Sequence, residues 1–203
     1  MHRSIFVLGL LITCPVAFAQ ADFCAEIATA ASNTFHTKIF STKDKLRFQG
    51  EDRLGRTNSI MIANLASLTS IVLIPQQHQY IESKEAQIPG QGVTFFQAKD
   101  VEDACGDWQR VSHGEKGKCH KVGHDTVNGR ETVKYEVATE SDKPSLMWID
   151  VKLHFPVKWQ SAVSSGELKN IQEGPQPASL FEIPAGYVKR SYANTGKEKS
   201  SQP

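Results

Sequence analysis

The chain has 203 residues, of which 39% are hydrophobic and 22% charged, with 23 basic against 22 acidic side chains. That length suits one domain, and the apolar content is enough to build a core, which excludes wholesale disorder. A net charge of +1 excludes a broadly basic nucleic-acid binder, because counterion release needs clustered Lys and Arg.

Residues 1–19 read as a secretory leader. Arg3 begins it, residues 5–12 are apolar, and Ala17-Phe18-Ala19 supplies small residues for cleavage. The apolar run is too short to span a bilayer, which needs about 20 residues. The protein is therefore expected to be exported and not to be transmembrane. An alternative is lipidation at Cys14, since Leu11-Ile12-Thr13-Cys14 resembles a bacterial lipobox, with Thr13 a poor fit. Cleavage after Ala19 removes Arg3 and no acid, so the mature chain is formally neutral. It also leaves Cys24, Cys105 and Cys119.

Residues 22–35 read as a helix capped by Asp22, with Phe23, Ile27, Ala30 and Ala31 as its apolar stripe and Cys24 as a buried thiol. Ten extended runs follow, over 38–40, 45–51, 57–64, 68–75, 77–82, 93–98, 120–125, 131–139, 146–155 and 166–173. Turn signals separate them, and Asn128-Gly129 predicts a two-residue hairpin. A short helix over 101–111 holds Cys105 and Trp108. Cys105 and Cys119 bracket a polar, turn-rich loop and are the expected disulfide in an oxidising compartment. Residues 191–203 read as a disordered polar tail, which leaves 20–190 as the folded domain.

A spacing of about ten residues per strand and turn predicts an antiparallel sheet or barrel. Alternation places Leu46 and Phe48 on one face of their strand and Arg47 on the other. Val133, Tyr135 and Val137 likewise oppose Lys134 and Glu136. Two short helices are little cover for so many strands, so the sheet either closes on itself or leaves an apolar cleft.

No Gly-x-Ser-x-Gly elbow, phosphate loop, dinucleotide fingerprint or His-Glu-x-x-His occurs. No catalytic residue, cofactor or metal is expected, and the chain is expected not to be an enzyme. The nearest metal-like group is His113, Cys119, His120 and His124, which would support a metal-dependent hydrolase only if Cys119 were reduced and His120 and His124 shared a face.

Several segments together resemble the LolA-like superfamily of periplasmic lipoprotein-carrier proteins. They are Lys38-Ile39-Phe40 with Lys45-Leu46-Arg47-Phe48, Leu73-Ile74-Pro75 with Gln79-Tyr80, and Trp148-Ile149-Asp150 with Leu153 and Pro156-Val157-Lys158. The last is Leu180-Phe181-Glu182-Ile183-Pro184-Ala185-Gly186-Tyr187. The resemblance implies a mainly β fold with some α: an incomplete antiparallel β-barrel, or half-barrel, with an N-terminal helix and a short helical lid. It further implies an apolar cavity for acyl chains of lipids or lipoproteins, with Arg47 as the residue that resembles the family's gate. An apolar sheet face with little cover leads to the same cavity. Its candidate lining is Leu46, Phe48, Ile60, Ile62, Ile71, Leu73, Tyr135, Ile149 and Val151. A monomer is expected, and the alternative partner is an envelope protein bound in an interaction or stress-sensor role.

Overall fold

The computed structural model describes residues 20–29, 36–51, 54, 56–83, 95–112, 117–138, 143–162 and 164–190. The leader, Cys14, His113 and the polar tail lie outside them. The described strands form one sheet in the order β12-β6-β5-β4-β3-β2-β1-β11-β10-β9-β8-β7. The two edge strands of that sheet do not pair with each other, so it is an open half-barrel and not a closed one.

Strand β1 (Phe23–Thr29) replaces the expected N-terminal helix. Phe23, Ala25 and Ile27 fit a period of two as well as Phe23 and Ile27 fit a helix, and pairing decides between them. β1 is hydrogen-bonded on both sides, to β2 (His36–Ser41) and to β11 (Ser165–Glu173). Cys24 is therefore a half-buried strand residue, its thiol 3.9 Å from Gln172 Oε1. Residues 30–35 of the expected helix lie outside the described residues.

β3 (Lys45–Glu51) and β4 (Thr57–Asn64) lie where alternation placed them, followed by β5 (Thr69–Ile74). A 3-10 turn over Pro75–Gln77 then delays β6 (Gln79–Ser83), with His78 left-handed at φ 50°. Residues 95–98 are buried but form no strand. They cross the inner face, where Ala98 N donates to His154 O at 2.9 Å. They lead to α1 (Cys105–Val111), the short helix expected there. β7 (Lys118–Val127) and β8 (Arg130–Ala138) join through the Asn128-Gly129 hairpin, with φ of 52° and 78°. Positive φ at both positions is the two-residue turn that twisted strands prefer.

The expected run 146–155 is two strands, β9 (Ser145–Asp150) and β10 (Phe155–Gln160). Asp150 breaks it. One of its carboxylate oxygens accepts the N–H groups of Lys152 and Leu153 at 2.9 and 2.8 Å, and its carbonyl accepts His154 N. An Asp that bonds its own backbone two residues on makes a turn whatever the apolar alternation around it. At the other edge, β12 (Val188–Lys189) adds a short parallel pairing to β6.

The inner face holds the main core. Phe48 of β3 and Tyr135 of β8, from opposite halves of the sheet, join one cluster with Phe95, Phe96 and Trp108 from the covering segment. Tyr135 Oη ties that cover down, donating to Val101 O at 2.7 Å and accepting from Ala104 N at 3.2 Å. The Cys105–Cys119 disulfide fastens α1 to β7. A bridge closing a loop of about 15 residues stabilises by about 3 kcal/mol in the chain-entropy model. The outer face carries a second, smaller cluster of Ile60, Ile62, Leu73 and Phe181 under the C-terminal strap, residues 178–187.

Candidate apolar ligand site

Register sets which side chains share a face. The pairings Phe48–Met61 and Met61–Val72 put these three side chains inside. Thr37 pairs with Ile27 and with Gly50, which extends the same face towards one end of the sheet. Between them and the covering segment lies a pocket of about 300 Å³, bordered by Ile27, Phe48, Met61, Val72, Phe95 and Trp159. Its lining is largely apolar, and its volume is at the lower end of the range for small-molecule sites.

Phe95 holds the aromatic wall together. Its ring lies 5.6 Å from Phe48, 5.5 Å from Phe155 and 5.3 Å from Trp159, stacked on Phe155 and edge-on to Trp159. Trp159 in turn lies over Gly166, where a Cβ would stand 2.3 Å from the indole. Only glycine lets the indole lie that close to β11. Trp159 is 2% exposed, and its Nε1–H has no hydrogen-bond partner among the described residues. A buried donor left unpaired costs about 1–3 kcal/mol.

The nine residues read from the sequence as cavity lining fall on two faces. Leu46, Phe48, Tyr135 and Ile149 belong to the inner cluster, and half-buried Val151, in the turn after β9, packs against it. Ile60, Ile62, Leu73 and half-buried Ile71 belong to the outer cluster. Of the nine, Phe48 and Ile60 border the pocket. Alternation gives parity within a strand but not which parity faces inward, and in β4 and β5 the inward set is Met61 and Val72. Ile27 was read into a helix and Trp159 lies outside the extended runs, so neither carried a signal. Phe95 sat in a run whose strand does not form.

Arg47 points away from the pocket, as its alternation with Leu46 and Phe48 implies. It is buried under the C-terminal strap, donating to Leu180 O at 2.8 Å and to Gln49 Oε1 at 3.0 Å, and its Nε has no partner among the described residues. Burial pulls its pKa down, only partly offset by Tyr187. Arg47 is thus a clasp between sheet and strap on the outer face.

The metal-like group does not assemble. Cys119 is oxidised. A bulge between Lys121 and Gly123 puts His120 and His124 on opposite sides of β7, His120 opposite Glu136 and His124 opposite Val133. No group of three or more potential metal ligands occurs among the described residues. No helix among them is long and apolar enough to cross a membrane.

No protein-family model matches this sequence, and no curated protein is similar to it at the sequence level. Solved structures are similar to it in fold. An uncharacterised conserved protein from Thermus thermophilus has TM-score 0.52 at 8% identity, covering 85% of this chain and 93% of that one. The Pseudomonas aeruginosa MucA/MucB complex gives 0.47 at 11%, covering 83% of this chain, which spans 57% of that one. LolA superfamily protein NE2245 from Nitrosomonas europaea gives 0.35 at 13%, covering 80% and 90%. The solved structures similar to this chain thus include LolA superfamily proteins, and at these identities the likeness is one of fold.

Proposed function

We propose that this chain is a periplasmic binding or carrier protein, without enzymatic activity, that holds one acyl chain of a lipid or lipoprotein in the inner-face pocket. The observation that carries the reading is the apolar pocket between β1–β5 and residue 95. An acyl chain supplies the apolar surface that such a lining accepts. Each methylene buried contributes about 0.8 kcal/mol. The leader-like N-terminus and the segments resembling lipoprotein carriers agree with this role.

A titration with a fluorescent fatty acid tests it. One saturable site is expected, and Val72→Phe, which fills the pocket from its half-buried wall, is expected to weaken it at least tenfold. No fluorescence change, or equal affinity in V72F, would contradict the reading.

A second reading is an envelope protein-interaction module. The open edge of β7 favours it, with Val122 51% exposed. It ranks below the first because the bulge before Gly123 interrupts that edge, as protected edges generally are. One stoichiometric protein partner, captured by lipid-free protein, would move it ahead.

A further inference from the structure

The inner-face pocket has a closed end and an open one. Trp159 and Phe95 close it, each 2% exposed. In the other direction the strands beneath it share one gradient. On β3 the inward series Leu46, Phe48, Gly50 goes from 0% exposed through 8% to half-buried. On β4 the series Ala63, Met61, Ser59 goes from 0% through 7% to exposed. On β2 and β1, Ile39 and Ala25 are buried, while Thr37 and Ile27 are half-buried. Register sets Ile27, Thr37, Gly50 and Ser59 side by side in one row across the four strands. All four border the pocket. The cover is fastened at the opposite end of these strands, where Gln97 Nε2 donates to Ser41 Oγ at 2.8 Å and Arg110 donates to Leu65 O at 3.3 Å. The pocket therefore opens at the row, away from the fastened end.

Gly50 is the gap in that row. Glycine inside a strand weakens it, and it often marks a bulge or the close approach of a ligand. A bulge does follow, between Gly50 and Glu51. Bulges that demand glycine hold it left-handed, however, and the φ of Gly50 lies outside that region. The backbone would thus accept a side chain. A Cβ there would stand 2.8 Å from Ser59 Oγ and 3.0 Å from Asn58 Oδ1, the ends of two short side chains that can rotate aside. What glycine provides here is open space between Thr37 and Ser59.

Resting on the acyl-chain reading above, we propose that the ligand enters between Thr37 and Ser59, methyl end first, through the space that Gly50 leaves. The methyl end comes to lie against Trp159 and Phe95. The polar head stays at the mouth, where water reaches it and the Thr37 and Ser59 hydroxyls can bond it. The reverse orientation would bury the head among aromatic rings, which the loss of its hydration opposes.

Two brominated dodecanoates test this on the purified protein, one with bromine on its last carbon and one with bromine beside the carboxyl. Bromine quenches tryptophan fluorescence at short range, and Trp159 is the tryptophan among the described residues that borders the pocket. At saturation the last-carbon probe is expected to quench more strongly. In stopped-flow mixing with that probe, Gly50→Val is expected to slow uptake at least tenfold, with Gly50→Ala in between. Valine suits a strand better than glycine, so G50V is expected to melt no lower than the wild type. Equal quenching by the two probes, or stronger quenching by the carboxyl-side one, would overturn the proposal, and this comparison needs no variant. So would wild-type uptake kinetics in G50V. No quenching by either probe in the wild type would overturn the acyl-chain reading itself, and this inference with it.

Discussion

Asp150 shows how one buried carboxylate can end a strand and anchor its neighbours. It is 1% exposed, folds the turn after β9, and receives the guanidinium of Arg130. Arg130 also donates to Glu173 at 2.8 Å, and Lys152 pairs with Glu173 from the turn. Asp150 thus meets its cation from β8 while Lys152 turns to β11. Lys152 first, then Arg130, holds the Glu173 carboxyl below its ordinary value near 4.5. A carboxylate with a depressed folded pKa contributes stability that is complete above its unfolded value and is lost as pH falls through the folded one. Glu173→Gln is therefore expected to cost about 0.5–1 kcal/mol at neutral pH. Its denaturation curve should converge with the wild type's below about pH 4, as the unpaired reference titrates. Urea melts across that range check this. At this scale the sequence was readable where chemistry is local. The Cys105–Cys119 pair and the Asn128-Gly129 turn followed from residue types alone. Asp150 was not readable, because both an exposed strand Asp and a turn-forming one fit the same alternation.

The strands show the same division. β3 and β4 match their sequence expectations because alternation and flanking turns agree there. β1 did not, since a short apolar stripe satisfies two periods and only pairing with β2 and β11 chooses. The outer cluster beneath the strap was equally hidden, because covering a sheet's second face depends on where a distant C-terminal segment returns. Arg47 links that segment to β3. A buried cation without a carboxylate partner is a poor source of stability, and an apolar replacement of similar length is often neutral or better. Arg47→Met is accordingly expected to change global stability by less than about 1 kcal/mol. It also removes the bond to Leu180 O, worth about 1–1.5 kcal/mol. Amide exchange at Val188 and Arg190, which bond to His78 O and Tyr80 O, is expected to speed up about tenfold. Hydrogen-exchange mass spectrometry resolves the two effects.

Across the whole molecule, an open sheet carries a covered inner face and a partly covered outer one. The inner cover is tied down at Tyr135 and at the disulfide on the β7–β8 half, and by Ala98, Gln97 and Arg110 to His154, Ser41 and Leu65. The apolar pocket lies on the β1–β5 half, beyond them. Mobile elements of a fold are drawn from its less stable parts, so entry of a ligand is expected at that less fastened end. The apolar inner face was legible in the alternation of the strands. The pocket's lining was not, because the inward parity of β4 and β5 is set by pairing and by residues 95–98, which cross the face without joining the sheet. Native mass spectrometry of the protein as purified, with lipid extraction of the same sample, tests the central claim most directly. One amphiphile per chain is expected, absent from V72F. A ligand-free mass for the wild type, with no lipid extracted and no uptake of added fatty acid, would contradict it.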